Sequence, residues 1–145
     1  MTSDCNIRGF YIQSKLNGFV LDVQRNEKKN GTPIIAFPMK NAVNDDPSNQ
    51  LWMFEEDGTI KSVANGMVLD IYGGVGGTNL VVWPKKNGTD TANQKWIWDA
   101  PYIYCEGAKK VLDISEANKE AGAKIIAHPK NDGLNQQWRL VPKCK

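Results

Sequence analysis

Three aspartates stand at matching places in this 145-residue chain. Asp22 lies in Phe19-Val20-Leu21-Asp22-Val23, Asp70 in Met67-Val68-Leu69-Asp70-Ile71, and Asp113 in Lys110-Val111-Leu112-Asp113-Ile114. A flat ring follows each one, Phe37, Trp83 or His128, after 15, 13 and 15 residues. An Asn-Gln pair follows each ring: Asn49-Gln50, Asn93-Gln94 and Asn135-Gln136. A carboxylate only accepts hydrogen bonds, a carboxamide donates and accepts, and an aromatic plate offers an apolar face. Together they suit a ligand with an apolar C–H face and a rim of hydroxyls, as a pyranose has. Hydrogen bonds to a charged acceptor are about twice as strong as neutral ones. A sugar with the wrong hydroxyl would leave a buried acceptor unpaired, which is the basis of selectivity. A turn carboxylate bonding local N–H groups would explain any single Asp. Three of them, each at nearly the same distance from a ring, favour contact with a ligand.

The elements that must position these groups also come in threes. The aspartates are 48 and 43 residues apart, and the tryptophans of Asn49-Gln50-Leu51-Trp52, Asn93-Gln94-Lys95-Trp96 and Asn135-Gln136-Gln137-Trp138 are 44 and 42 apart. A third anchor, Phe37-Pro38, Trp83-Pro84 and His128-Pro129, lies between them each time. Each copy reads as four short strands. Asn17-Gly18 and Asn65-Gly66 are hairpin signals; the third copy has Ala108-Lys109 instead, with Gly107 as the candidate for the bend. Ile34 to Phe37, Leu80 to Trp83 and Ile125 to His128 form third strands, each ended by a proline that cannot donate to a ladder. Twelve short strands in three units need a closed architecture, because open edges invite aggregation. Propellers typically need at least four blades, so the reading is an all-β, pseudo-threefold β-trefoil. One domain spans 1–145, with repeats at approximately 7–54, 55–98 and 99–145.

The three Gln-x-Trp motifs, each downstream of a Leu-Asp strand, resemble the ricin-type (R-type) lectin family, whose fold is shared with family 13 carbohydrate-binding modules. The resemblance covers the chain from about Phe10 to Leu140. It implies a non-catalytic lectin for galactose or N-acetylgalactosamine, multivalent through up to three equivalent sites, recognising glycoprotein or glycolipid glycans or agglutinating cells. By the same resemblance Asp22, Asp70 and Asp113 accept hydrogen bonds from two adjacent hydroxyls. Phe37, Trp83 and His128 stack on the sugar, and Asn49, Asn93 and Asn135 contact a hydroxyl. Gln50, Gln94 and Gln136 brace the aspartates from behind, while the motif tryptophans belong to the core. The second copy, with Trp83, has the best stacking plate. Ile35, Val81 and Ile126 depart from members with a polar residue two positions before the ring, and the disulfides inside each repeat of the plant toxins are absent. A xylan- or polysaccharide-binding module of the same fold and a protein-binding trefoil, inhibitor or cytokine-like, are the alternatives.

Composition excludes other classes. A net charge of +2, with 23% charged residues, does not suit a polybasic nucleic-acid binder. No stretch approaches the roughly 18 apolar residues that span a bilayer, so membrane insertion is not expected. One histidine and no second acid paired to a repeat Asp leave no triad, glycosidase pair or metal cluster, so neither an enzyme nor a cofactor or metal is expected. The first eight residues lack the apolar core of a signal peptide, which suggests a cytoplasmic chain or unconventional export. Asn30-Gly31-Thr32 and Asn87-Gly88-Thr89 match a glycosylation sequon but read as turns. Of three cysteines, Cys5 and Cys144 sit at opposite ends of the chain. They pair only if the fold brings the termini together; otherwise one of them offers a link to a homodimer. Cys105 aligns with Ser14 and Ser62, as a small buried residue. Lys40, Lys86 and Lys130 read as solvated, and Asn41, Asn87 and Asn131 as turn residues.

Overall fold

The computed structural model describes residues 5–145. Residues 1–4, part of the stretch in which no leader is expected, lie outside them. Twelve strands follow in chain order: β1 (Ile7–Ser14), β2 (Val20–Val23), β3 (Ile34–Phe37) and β4 (Trp52–Phe54) from the first copy. The second copy provides β5 (Ile60–Ser62), β6 (Val68–Ile71), β7 (Leu80–Trp83) and β8 (Ile97–Asp99). The third provides β9 (Tyr102–Cys105), β10 (Lys110–Ile114), β11 (Ala123–His128) and β12 (Trp138–Cys144). The pairings β1–β4, β4–β5, β8–β9 and β1–β12 form the barrel wall, and β1–β12 joins the chain ends.

Three hairpins, β2–β3, β6–β7 and β10–β11, cap the barrel. They close into a triangle: β3 pairs with β11, and bridges at Pro33–Val81 and Asn79–Ile126 tie β7 to both. The closure is the β-trefoil that the repeats imply, and it leaves few free edges. Burial follows the repeats as well. Leu21, Leu69 and Leu112 are fully buried with Trp52, Trp96 and Trp138 in one core. By area each such tryptophan contributes about 4–6 kcal/mol.

The first hairpin turn of each copy has one residue in the left-handed region: Gly18 at φ 81°, Gly66 at φ 74° and Lys109 at φ 56°. In the third copy the bend therefore falls on Lys109, not Gly107 as the sequence suggests. Gly107 is small for another reason: a Cβ there would lie 2.7 Å from the Ala92 Cβ. Gly31 and Gly88 also have positive φ, so both sequons lie in turns. Cys5 and Cys144 form a disulfide across the joined ends, with Cα atoms 5.4 Å apart. Cys105 is a buried free thiol, in the place that Ser14 and Ser62 fill in the other copies. Among the described residues, no helix is long and apolar enough to cross a membrane.

Candidate functional site

Each pocket begins at a core tryptophan. The indole N–H of Trp52 donates to the Leu21 carbonyl at 3.2 Å, Trp96 to Leu69 at 3.1 Å, and Trp138 to Leu112 at 3.2 Å. This fixes the strand that carries the next residue, the aspartate. Just before the tryptophan, a single 3₁₀ turn (Ser48–Gln50, Ala92–Gln94 or Leu134–Gln136) aims the Asn-Gln pair back at that aspartate.

The glutamine satisfies all of its polar atoms within its own repeat. Its Nε2 donates to an aspartate Oδ2, at 2.9 Å for Gln50–Asp22, 2.9 Å for Gln94–Asp70 and 2.8 Å for Gln136–Asp113. The same nitrogen donates to the carbonyl of the proline that ends the third strand, Pro38, Pro84 or Pro129. Its Oε1 accepts from the backbone N–H of Lys40, Lys86 or Asn131. A fully paired buried amide is a rigid support, because every alternative rotamer would orphan at least one polar group. The neighbouring asparagine donates to the carbonyl of the residue directly after the aspartate: Asn49 to Val23, Asn93 to Ile71 and Asn135 to Ile114.

Each aspartate is almost fully buried, at 3–4% exposure, yet among the described residues no cation hydrogen-bonds to any of them directly. Burial pushes the carboxyls of Asp22, Asp70 and Asp113 above the usual carboxylate range. The glutamine bond pulls each partly back, as do the charges of Lys40, Lys86 and His128 respectively. Such a carboxylate is short of donors and gains from hydroxyls that supply them.

Lys40 and Lys86 are not merely solvated: their ammonium groups donate to Asn49 Oδ1 at 2.9 Å and Asn93 Oδ1 at 2.7 Å. Their spatial counterpart in the third copy is Asn131 rather than Lys130, since all three donate their backbone N–H to the glutamine. The constant step of three residues from Phe37 and Trp83 was the available signal. Asn131 does serve a turn, its side chain accepting from Gly133 N–H at 2.9 Å.

The first and second constellations enclose open cavities. The first, about 300 Å³, brings together Asp22, Phe37, Lys40 and Asn49, with Arg25 at the rim and Gly122 from the third repeat. The second, about 260 Å³, brings together Asp70, Trp83, Lys86 and Asn93. It adds Tyr72, whose ring meets Trp83 edge-on at 6.3 Å, and Asp90. Asp90 is thus a second acid on the wall of the Asp70 cavity. In the third, half-exposed His128 places Nδ1 3.9 Å from Asp113 Oδ2 and 2.9 Å from the Pro129 carbonyl, and Asn135 and Gln136 stand as in the other copies.

Behind each aspartate, two consecutive residues take left-handed conformations. They are Arg25 and Asn26 (φ 54° and 52°), Gly73 and Gly74 (89° and 98°), and Glu116 and Ala117 (57° and 52°). Only the second copy uses glycine where glycine is favoured. A further cavity, about 530 Å³, lies elsewhere, where the third strands of the three repeats meet beside Tyr72 and Trp83. No carboxylate lines it, so it lacks the acceptor that the repeated constellations share.

Fold and constellation together define a class: a β-trefoil that presents one carboxylate, ring and amide set per repeat. The model of the ricin-type β-trefoil lectin domain matches residues 8–138, and the chain belongs to that family. The chain is 31% identical over 122 residues to β-galactoside-specific lectin 3 of Viscum album, covering 84% of this chain and 20% of that protein. It thus spans about a fifth of the length of the curated relatives it matches. Among solved structures, the C-terminal half of an earthworm R-type lectin in complex with GalNAc superposes with a TM-score of 0.80 at 30% identity. That match covers 92% of this chain and 98% of the earthworm chain. A designed threefold-symmetric protein, ThreeFoil, superposes at 0.78 with 24% identity over 92% of this chain and 98% of its own, a likeness of fold.

Proposed function

We propose that this chain is a multivalent lectin holding galactose- or N-acetylgalactosamine-type residues of glycoprotein or glycolipid glycans, one in each repeat, without chemical turnover. One observation carries the reading: a nearly buried carboxylate, braced by a fully paired glutamine and short of donors, recurs beside a ring and an amide three times. Asp22, Asp70 and Asp113 accept from sugar hydroxyls, while Phe37, Trp83 and His128 stack on the C–H face. Asn49, Asn93 and Asn135 touch a further hydroxyl. Lys40 and Lys86, already turned onto the asparagines, offer their remaining N–H groups to the same rim. Gln50, Gln94 and Gln136 act through the aspartates. The names of the relatives, a β-galactoside-specific lectin and a lectin bound to GalNAc, agree with this choice of sugar.

The absence of turnover rests on what the repeats share. Asp90 has no counterpart lining the first pocket, so a pair of carboxylates is not the repeated feature. Open pockets of this size bind a single sugar at roughly millimolar strength, and linking them raises avidity about 10²- to 10⁴-fold on a matching glycan array. The test is a glycan-array screen with free galactose as competitor, alongside an aryl galactoside assayed for release. Binding to terminal galactose or GalNAc that the competitor removes, with no release, supports the reading. Silence across galactosides, or steady release of the aryl group, overturns it.

A further inference from the structure

The three pockets differ in charge at one matching rim position. Arg25, Gly73 and Glu116 each lie three residues after the pocket aspartate, and each takes the left-handed conformation. Glycine accepts that backbone freely, whereas arginine and glutamate are disfavoured there. Arg25 lines the first cavity, together with one carboxylate (Asp22) and a second cation (Lys40). The second cavity has the reverse balance, with two carboxylates (Asp70 and Asp90) and one cation (Lys86). Lys40 is tied to the Asn49 amide oxygen, whereas the exposed Arg25 guanidinium that lines the same cavity makes no side-chain hydrogen bond among the described residues.

On this basis, and resting on the lectin reading above, we propose that Arg25 is a specificity-determining residue. It makes the first pocket prefer galactosides carrying a negatively charged substituent, while the second pocket prefers neutral ones. A guanidinium presents paired N–H donors that match the oxygens of a sulfate or carboxylate. The primary hydroxyl at carbon 6 lies outside the ring, so a charge attached there can reach the rim while ring hydroxyls face Asp22. The same substituent in the second pocket meets Asp90 and no arginine. Both sites are open to solvent, so salt screens the preference. An effect of about 5- to 10-fold at low ionic strength is expected.

The test is a site-resolved NMR titration, reading the side-chain amide signals of Asn49 and Asn93 separately. The probes are methyl β-galactoside, its 6-sulfate, and a galactoside capped at carbon 6 with sialic acid. The proposal expects either charged probe to bind the Asn49 site several-fold more tightly than the neutral parent, and the Asn93 site no better or worse. The two charged arms tell sulfate from carboxylate preference. Arg25→Gly should abolish the preference at the first site without harming the fold, because glycine suits that backbone. Gly73→Arg should transfer it to the second, where a Cβ meets nothing within 4 Å. Equal affinities for parent and charged probes at the first site would overturn the proposal. A preference that survives Arg25→Gly would overturn it too, assigning the effect to Lys40. If the neutral parent moves neither amide, the galactose reading itself has failed, a result distinct from both.

Discussion

Asp70→Asn separates binding from folding in the second pocket. Asp70 Oδ2 accepts from Gln94 at 2.9 Å, and an asparagine oxygen can take over that bond without moving the backbone. The variant then turns an NH₂ toward the cavity, where the native residue presents a charged acceptor. Two charge-assisted bonds to adjacent hydroxyls become at best two neutral ones. At about 1–1.5 kcal/mol lost per bond, the cost is roughly 2–3 kcal/mol, or about 30- to 150-fold in affinity. From a roughly millimolar site that loss removes binding from view. The fold should behave oppositely, since burial raises the pKa of this carboxyl and thus disfavours its charged form. Calorimetry or the Asn93 amide signal would report the sugar, and a thermal melt the fold. Binding should vanish at the second site while the melting temperature holds or rises. Binding within a few-fold of native would refute the role given to Asp70. A melting temperature lowered by many degrees would refute the idea that the charge serves the ligand at the fold's expense.

Acid should weaken binding before it unfolds the protein. Asp22, Asp70 and Asp113 have raised pKa values in the folded chain, so they take up protons there more readily than in the unfolded chain. Their linkage contribution favours the fold at low pH and is lost as pH rises through the raised values. Asp46 and Asp57 are held below the usual range, Asp46 chiefly by Ser48 and Asp57 by Lys85 and Thr59, so the stability they give is lost only as pH falls through and below it. Retention on immobilised galactose should therefore fall from above about pH 4, the ordinary carboxylate value, while circular dichroism stays native; coincident loss of both would count against it. Gly77→Ala should distort the loop that carries Tyr72, because its Cβ would lie 2.0 Å from the Tyr72 carbonyl oxygen. Overpacking of this kind costs about 1–3 kcal/mol, read as a lower denaturant midpoint with weakened binding at the second site first. Ser62→Ala should be neutral or slightly stabilising, since the buried Ser62 hydroxyl has no hydrogen-bond partner among the described residues, whereas Ser14→Ala loses the bond from Leu16 N–H and should cost about 1 kcal/mol. Equal melting temperatures for the two variants would contradict this difference.

Much of this protein was legible in its sequence because each pocket is assembled mainly from one repeat. Asp22, Phe37, Asn49 and Gln50 lie within 28 residues of one another, as do their counterparts, so the contacts between them recur as a period in the chain. The strand that holds each aspartate, the proline that ends the third strand and the tryptophan beneath are all parts of that period. Whatever breaks the period had to wait for the tertiary structure. Cys5 meets Cys144 across 139 residues because β1 and β12 happen to share a barrel edge, a contact made only once. Asn131, not Lys130, fills the place of Lys40 and Lys86: it keeps the step of three residues from the ring, but its residue type breaks the period, and the backbone hydrogen bond to the glutamine identifies it. Tyr72, at the place that Gln24 holds beside the first pocket, and Asp90 give the second pocket a lining of its own. Sequence by itself determined the threefold barrel and the residues common to its pockets, since repeated short-range contacts leave a repeated pattern. Only the folded chain decided how the pockets differ, because loop path and contacts between repeats depend on geometry that no period records.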